Sequence, residues 1–424
     1  MKKVLIISPN WPPVSYPDEH RVRITLPYFK ENGWDVLVIK INPKEQEGIK
    51  DDLLCKTIPK DIRVWEAGFI SKIFTRLFGI SSIGLRSFFH IAALGNKIIK
   101  QEKPDVIFFS TVMFNVMLLG VYWKLRFKIP YVLDFIDPWY RGNDFPRHGK
   151  KGLKFILTDF IAKCNEPIVI KKADHIISVS AGYNEVFLNR YKGLNSKSFT
   201  DLPYGAPEND FILLKTLKIK QYVFEPNDGR RHWVYAGRGG EDLNFSLRAF
   251  FNALRRAKEN SQEITNNLVV HFIGTNYSPR NWSEKKIEYL AIDCGVGSMV
   301  KEYPSRITYF ESLQCLLDAE ALFVPGSDES AYTASKIYPY ILSQKPLLAV
   351  FHKDSSVVRV LKETHFGTVV SFDAQETMDS LSDKIFHEWF INFSSKQIEI
   401  DWKAFKPYTT SEVAKALCSV FNQL

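Results

Sequence analysis

The chain lacks most of the features that mark secreted, metal-clustered or dinucleotide-binding proteins. Its five cysteines, Cys55, Cys164, Cys294, Cys315 and Cys418, are odd in number, widely spaced and without a C-x-x-C pair. That pattern argues against a disulfide framework and a zinc site, and it fits a reducing cytoplasm. No run of about 18 uncharged apolar residues occurs, so no segment reads as a transmembrane helix. The apolar run that begins at Val4 ends before Pro9. It is shorter than the roughly 7–15 residues of a secretory signal core and reads as a first buried strand. No G-x-G-x-x-G follows that strand, and Ser8-Pro-Asn-Trp-Pro-Pro13 stands there instead. A nicotinamide pyrophosphate needs glycines at that turn, so such a cofactor is not expected. There is also no G-x-x-x-x-G-K-[ST] loop and no D-x-D pair in a suitable loop, so neither a metal nor any other cofactor is expected.

What is present is length, apolar periodicity and uneven charge. A chain of 424 residues implies two domains of roughly 200 residues each. Residues 1–200 hold 31 Lys and Arg against 19 Asp and Glu, a net +12; the remainder holds 25 against 28, a net −3. A basic first half fits nucleic acid, an anionic membrane surface or a phosphorylated substrate. Nucleic acid would explain the charge, but no recognition helix, aromatic RNA-binding signature or zinc finger accompanies it.

Short β-branched runs at 4–8, 36–40, 106–110, 131–134 and 175–180 read as strands, with helical spacing at 21–32, 112–127 and 152–172 between them. The second half repeats the pattern, with strands at 232–236, 269–273, 321–324, 347–350 and 368–371. Near-continuous apolar strands alternating with helices indicate parallel sheets covered on both faces. The expected fold is α/β, two doubly wound Rossmann-like domains facing a cleft. Its boundaries are a first domain over 1–205, a second over 206–405, and a C-terminal helix within 406–424. The Pro- and Gly-containing loop from Leu202 is the linker. In such sheets ligands bind beyond the carboxyl ends of the strands.

Several strand ends carry chemistry. His20 and Arg21 open a helix after the first strand and suit a phosphate or sugar contact, or else a solvated polar turn. Asp134 and Asp137 end the strand at 131–134; Asp137, before Pro138, is placed to face the cleft or to make an Asx turn. The strand at 321–324 runs into a polar loop, with a helix beginning near Ser335. The hydroxyls of Thr333 and Ser335, the charge of Lys336 and the open N–H groups of that helix compose an anion site, or an ordinary capped helix. Gly237-Arg-Gly-Gly240, after the strand at 232–236, suits a second phosphate contact, or a plain glycine turn.

In order and spacing these pieces resemble the GT-B glycosyltransferases of retaining family 4, especially members that build bacterial surface polysaccharides. The likeness rests on Ile6-Ile-Ser-Pro-Asn-Trp-Pro-Pro13; Asp134-Phe-Ile-Asp-Pro-Trp139, like the family's D-x-R-D-x-W; and Ala173-Asp-His-Ile-Ile-Ser-Val-Ser180. It continues through Leu202-Pro-Tyr-Gly205, Val234-Tyr-Ala-Gly-Arg238, His271-Phe-Ile-Gly274 and residues 318–350. The resemblance implies that Arg238 and Lys336, with Gly237 and Ser335 beside them, neutralise the diphosphate of a nucleotide-sugar donor. It implies that Asp328, Glu329, Tyr332 and Thr333 face the sugar, that Asp137 lies near the reacting centre, and that the last helix crosses back onto the first domain; His20, from its place at the helix start, is the second catalytic candidate. The family's paired glutamates align with Ala331 and Pro339, so Asp328 or Glu329 would take over hydroxyl contacts. The family's lysine after the Gly-Arg loop falls near Leu243 and Asn244, which leaves Lys336 as the cation.

The implied activity is metal-independent sugar transfer, with retention, to a glycan or lipid-linked acceptor. A catalytically inactive nucleotide-sugar-binding or scaffold protein and a sugar-nucleotide epimerase are the other two classes the same architecture serves. Residues 67–101 contain no acid, and they interleave Lys72, Arg76, Arg86, Lys97 and Lys100 with aromatic and aliphatic side chains. That composition fits an interfacial helix on an anionic membrane surface, or a buried helix with snorkelling lysines. The expected location is cytoplasmic, peripheral at the inner face of the plasma membrane.

Overall fold

A computed structural model of the chain describes all residues except 47, 76–81, 143–151, 196–197, 261, 277–283, 330–334 and 394–397. The chain divides into two compact units, Met1–Gly205 with Thr410–Leu424, and Ala206–Thr409. Residues 406–409 thus belong to the second unit, and the C-terminal helix, Thr410–Asn422, to the first.

The first unit is built on seven parallel strands: β1 (Lys2–Ile7), β2 (Trp34–Ile41), β3 (Arg63–Ala67), β4 (Val106–Ser110), β5 (Tyr131–Phe135), β6 (His175–Ser178) and β7 (Phe199–Asp201). Their order is β3-β2-β1-β4-β5-β6-β7. Alternation along β1 feeds two cores. Leu5 and Ile7 join Ile107, Phe109, Leu133 and Phe135 under the helices Ile83–Glu102, Leu118–Phe127 and Leu153–Lys172. Val4 and Ile6 join Phe108 and Val132 under the helix Pro17–Thr25 and the C-terminal helix. The latter inserts Phe421 against Trp34 and Phe108, both at 5.4 Å between ring centroids. Each such fully buried aromatic or aliphatic side chain contributes about 1.5–3 kcal/mol, which holds the chain terminus in place.

The second unit repeats the scheme with β8 (Arg231–Ala236), β9 (Leu268–Ile273), β10 (Val300–Tyr303), β11 (Ala321–Pro325), β12 (Leu347–His352) and β13 (Thr368–Phe372). Their order is β10-β9-β8-β11-β12-β13, again parallel throughout. Aromatic side chains fill much of its core. Phe250 stacks on Phe323 at 4.1 Å, and Trp233 on Phe393 at 5.0 Å.

All ten strands expected from the sequence form, most extended by one to three residues. The three that were not expected, β3, β7 and β10, are edge strands. β3 buries only alternate residues and β7 has three residues, so neither carries the continuous apolar run that marks a strand covered on both faces. The helix expected at 21–32 runs instead over Pro17–Thr25. Leu26 keeps helical backbone angles, but Pro27 has no N–H to donate to the carbonyl four residues back, and a 3₁₀ turn, Leu26–Tyr28, takes over.

The basic stretch 67–101 is only partly what its composition implied. Lys72, Lys97 and Lys100 are exposed, as are Ile73, Phe74 and Phe89. Arg86 is buried: it donates to the Ile70 carbonyl at 3.0 Å and lies over the Phe69 ring. It is a structural tie rather than a surface cation. Arg76, Leu77, Phe78 and Ile80 lie outside the described residues. Among the described residues no helix is long and apolar enough to cross a membrane.

Candidate active site

In the second unit the strand order turns back at β8, whose neighbours β9 and β11 lie on opposite sides. Such a reversal opens a crevice at the carboxyl ends of the two diverging strands. Here the loop Gly237-Arg-Gly-Gly240 leaves β8 and the loop Gly326-Ser-Asp-Glu329 leaves β11. The first is fixed by backbone bonds from Gly237 to Ile273 (2.9 Å) and from Gly239 to Thr275 (2.6 Å). The second is fixed by Ser246 Oγ donating to the Gly326 carbonyl (2.7 Å) and by the Asp328 N–H donating to the Asp242 carbonyl (3.0 Å).

Lys336 reaches into this crevice. Its Nζ donates to Tyr235 Oη at 3.0 Å and lies 4.7 Å from the centre of that ring. Tyr235 Oη in turn donates to the Arg238 carbonyl (2.7 Å). A side chain at position 237 would place its Cβ 1.9 Å from Nζ, so the ammonium occupies space that only glycine leaves open. No carboxylate pairs with Lys336 among the described residues. Burial, reinforced by the charges of Arg238 and Arg306, pushes its pKa down to about 7. A half-buried ammonium under the charges of two guanidinium groups is an electrostatic deficit that an anion would relieve.

Arg238 is held differently. It makes a two-bonded pair with Asp242 (2.8 and 2.6 Å). Against the opposing effect of burial, Arg238 keeps the Asp242 carboxyl below the usual range. Arg306, which follows β10, packs beside Gly274 at the end of β9. Neither Asp242 nor Arg306 was singled out from sequence. The four-residue spacing of Arg238 and Asp242 was a readable signal, whereas Arg306 follows an edge strand that the pattern did not reveal.

Of the expected donor-site residues, Gly237, Arg238, Asp328 and Lys336 converge through these contacts. Ser335 is half-buried in the turn before Lys336, Glu329 half-buried and Asp328 exposed. Tyr332 and Thr333 lie outside the described residues, as does Ala331. The helix starts two residues later than expected, Ile337–Ser343, and includes Pro339. Tyr340 ties it to the end of β8 by accepting from the Ala236 N–H at 2.8 Å.

The other two expected residues belong to the first unit. His20 is largely buried, with Nε2 3.0 Å from Ser15 Oγ and Nδ1 3.0 Å from a guanidinium nitrogen of Arg23. Burial and the Arg23 charge hold its pKa well below 6.5. It is therefore a neutral, internally bonded imidazole rather than a cation offered to a phosphate. Arg21 is likewise engaged: Nε lies 2.5 Å from Asp134 Oδ2, and its other nitrogens donate to the Pro203 and Leu202 carbonyls. The expectation that Arg21 meets a ligand phosphate is thereby corrected. Asp137 is exposed in the bend after β5. Trp139 beside it is stacked on Phe114 at 5.7 Å. Among the described residues no three His, Cys, Asp or Glu side chains are grouped as metal ligands.

No family model matches the chain, and no curated protein matches it in sequence. Its fold is that of solved glycosyltransferases. A glycosyltransferase from Rickettsia africae ESF-5 superposes with a TM-score of 0.60 at 12% identity, covering 100% of this chain and 98% of that one. HepE from Anabaena, solved with UDP and glucose, gives 0.61 at 13% identity, with both chains fully covered. The lipopolysaccharide outer core galactosyltransferase WaaB gives 0.58 at 13%, again over the whole of both chains. Identities this low establish architecture and not activity. The class defined is the α/β GT-B fold: two doubly wound units, as in nucleotide-sugar-using transferases.

Proposed function

We propose that the protein transfers a sugar from a nucleotide-sugar donor to a glycan or lipid-linked acceptor, in the synthesis of a bacterial surface polysaccharide. The observation that carries this reading is Lys336, a half-buried ammonium without a carboxylate partner among the described residues, at the β8–β11 crevice beside Arg238 and Arg306. HepE has been solved with UDP and with UDP-glucose on the same architecture, which supports a nucleoside diphosphate as the anion bound there.

Breaking the anomeric C–O bond leaves negative charge on the departing nucleoside diphosphate. Cations fixed before the reaction stabilise that charge without reorganising, which is the largest catalytic effect available to such a site. Lys336 and Arg238 take this role, with Gly237 letting the phosphate approach the backbone. Asp328 and Glu329, with Tyr332, Thr333 and Ser335, take the sugar and ribose hydroxyls, because Pro339 offers no carboxylate. Asp137 serves the reacting centre. His20 holds the first-unit loop in place through Ser15 and Arg23. In the family resemblance the acceptor hydroxyl attacks on the leaving-group face and configuration is retained.

The charge is met by protein cations, so transfer should survive chelation: activity lost in EDTA and restored by Mg²⁺ or Mn²⁺ would contradict this account. Incubation with a panel of nucleotide sugars and lipid-linked acceptors tests the whole reading. Transfer supports it; binding without turnover identifies an inactive binder, and isomerisation of the free donor identifies an epimerase. Exposed Lys72, Ile73, Phe74 and Phe89 in the first unit support a reading in which the acceptor lies at an anionic membrane surface.

A further inference from the structure

We infer that the first unit meets an anionic lipid bilayer through a whole helical layer, in which the helix Leu153–Lys172 supplies the main apolar insertion. This extends the membrane-proximal reading above and rests on it. The sequence pattern of that helix gave no hint of the role: it reads as an ordinary covering helix between two strands.

Three helices cover one face of the first sheet side by side. Trp123 of Leu118–Phe127 donates to Asn96 of Ile83–Glu102 (3.0 Å), and Lys124 donates to the Lys172 carbonyl of Leu153–Lys172 (2.9 Å). On Leu153–Lys172, Ala162, Glu166, Val169 and Ile170 are buried. The opposite side carries Ile156, Phe160, Cys164 and Ile168, one turn apart and all exposed, with Leu157 beside them; Phe160 is 62% accessible. At 1.5 Å per residue this stripe is about 18 Å long. The outer sides of the two neighbouring helices add Leu125 and Phe89, the latter 72% accessible.

Four exposed apolar side chains on Leu153–Lys172, with Leu125 and Phe89 on the neighbouring helices, are a concentration of the kind that marks an interaction site, unlike scattered single residues. Its charge selects the partner. Lys97, Lys100, Lys163, Lys171 and Lys172 are exposed on the same layer, and none is paired with a carboxylate among the described residues. The acids of these helices are mostly spent elsewhere: Glu102 pairs with Lys3 and Arg63, and Glu166 is buried against Arg190 and Tyr191. A second copy of this chain would bring like charges together, which disfavours self-association. Apolar side chains ringed by unpaired lysines match the acyl boundary and anionic headgroups of a bilayer.

The test is flotation with phosphatidylglycerol-rich and with pure phosphatidylcholine vesicles, at low and high salt. Wild type is expected to float with the anionic vesicles and to be partly released by salt. Ile156→Glu/Phe160→Glu, at exposed positions that leave the fold intact, should lower partitioning by about tenfold or more. A Cys55→Ser protein labelled at Cys164 with a polarity-sensitive fluorophore should shift to the blue on anionic vesicles only. If wild type and a Lys72→Glu/Phe74→Glu control behave as membrane binders and non-binders while the helix variant floats normally and the dye does not shift, this inference is overturned and the membrane reading stands. If wild type ignores anionic vesicles, both are overturned. Capture of an acidic protein by the patch without vesicle binding would also overturn it.

Discussion

The two units share one strand order around their first strand, yet they treat charge at the strand reversal in opposite ways. At the β1–β4 reversal the arginine that follows β1 and the buried Asp18 find partners within the unit. Asn10 Nδ2 donates to both oxygens of Asp18 (3.0 and 2.9 Å), the Val112 N–H adds a third bond, and Arg21 is spent on Asp134 and two carbonyls. At the β8–β11 reversal Arg238 is matched by Asp242, while Lys336 is left with a phenol and two like-charged neighbours. The same backbone plan thus spends its arginine internally in one unit and, in the other, leaves a lysine without a carboxylate among the described residues, where the proposed donor site lies. Location at a strand reversal nominates a site; the unbalanced charge is what distinguishes a ligand site from packing.

Substitutions should separate the two. The largest effect is expected in the scaffold. Arg21→Ala leaves Asp134 buried without its cation, which costs about 3–5 kcal/mol, and a denaturant midpoint close to wild type would contradict the pairing. Lys336→Ala should do the reverse: thermal stability at neutral pH is retained, while nucleoside-diphosphate affinity weakens by about 1.5–3 kcal/mol in calorimetric titration. Equal affinity in a folded variant would remove Lys336 from the site.

The pH dependence follows from the same lysine. Its pKa in the free protein is pushed down to about 7, and a bound diphosphate favours the charged form and raises it. Binding is then strongest below about pH 7. It weakens by up to about tenfold per unit as pH rises toward the bound-state value, with proton uptake on binding in that window. A flat affinity profile from pH 6 to about 8.5 would contradict the assignment. The smallest effect belongs to Asp242→Asn, which releases Arg238 toward the ligand and should tighten binding by about 0.5–1.5 kcal/mol. Weaker binding would mean that Asp242 orients Arg238 rather than competing for it.

The contrast was only half legible in the sequence. Central strands declared themselves through unbroken runs such as Val4-Leu-Ile-Ile7, because burial on both faces demands apolar residues at every position. Edge strands such as Arg63–Ala67 and Val300–Tyr303, with exposed alternate positions, did not. Gly237, Arg238 and Lys336 could be nominated because turn glycines and cations stand at strand ends. That Arg21 is consumed by Asp134, 113 residues away, and that Arg306 adds to the positive field around Lys336, are facts of long-range packing that no local spacing encodes. The apolar stripe on Leu153–Lys172 was hidden for a related reason. A helix with one side on a sheet and an equally apolar outer side has little amphipathic contrast, so its pattern reads as plain core.

The central claim is that the β8–β11 crevice binds a nucleoside diphosphate through Lys336. The direct measurement is a thermal-shift series with uridine, guanosine, adenosine and thymidine diphosphates on wild type and Lys336→Ala. The account predicts that at least one of the four raises the wild-type midpoint, by about 2.7 kcal/mol of stabilisation at a hundredfold excess over Kd, and that the variant loses most of that gain. Four nucleotides without effect on wild type, or an equal shift in both proteins, would contradict it.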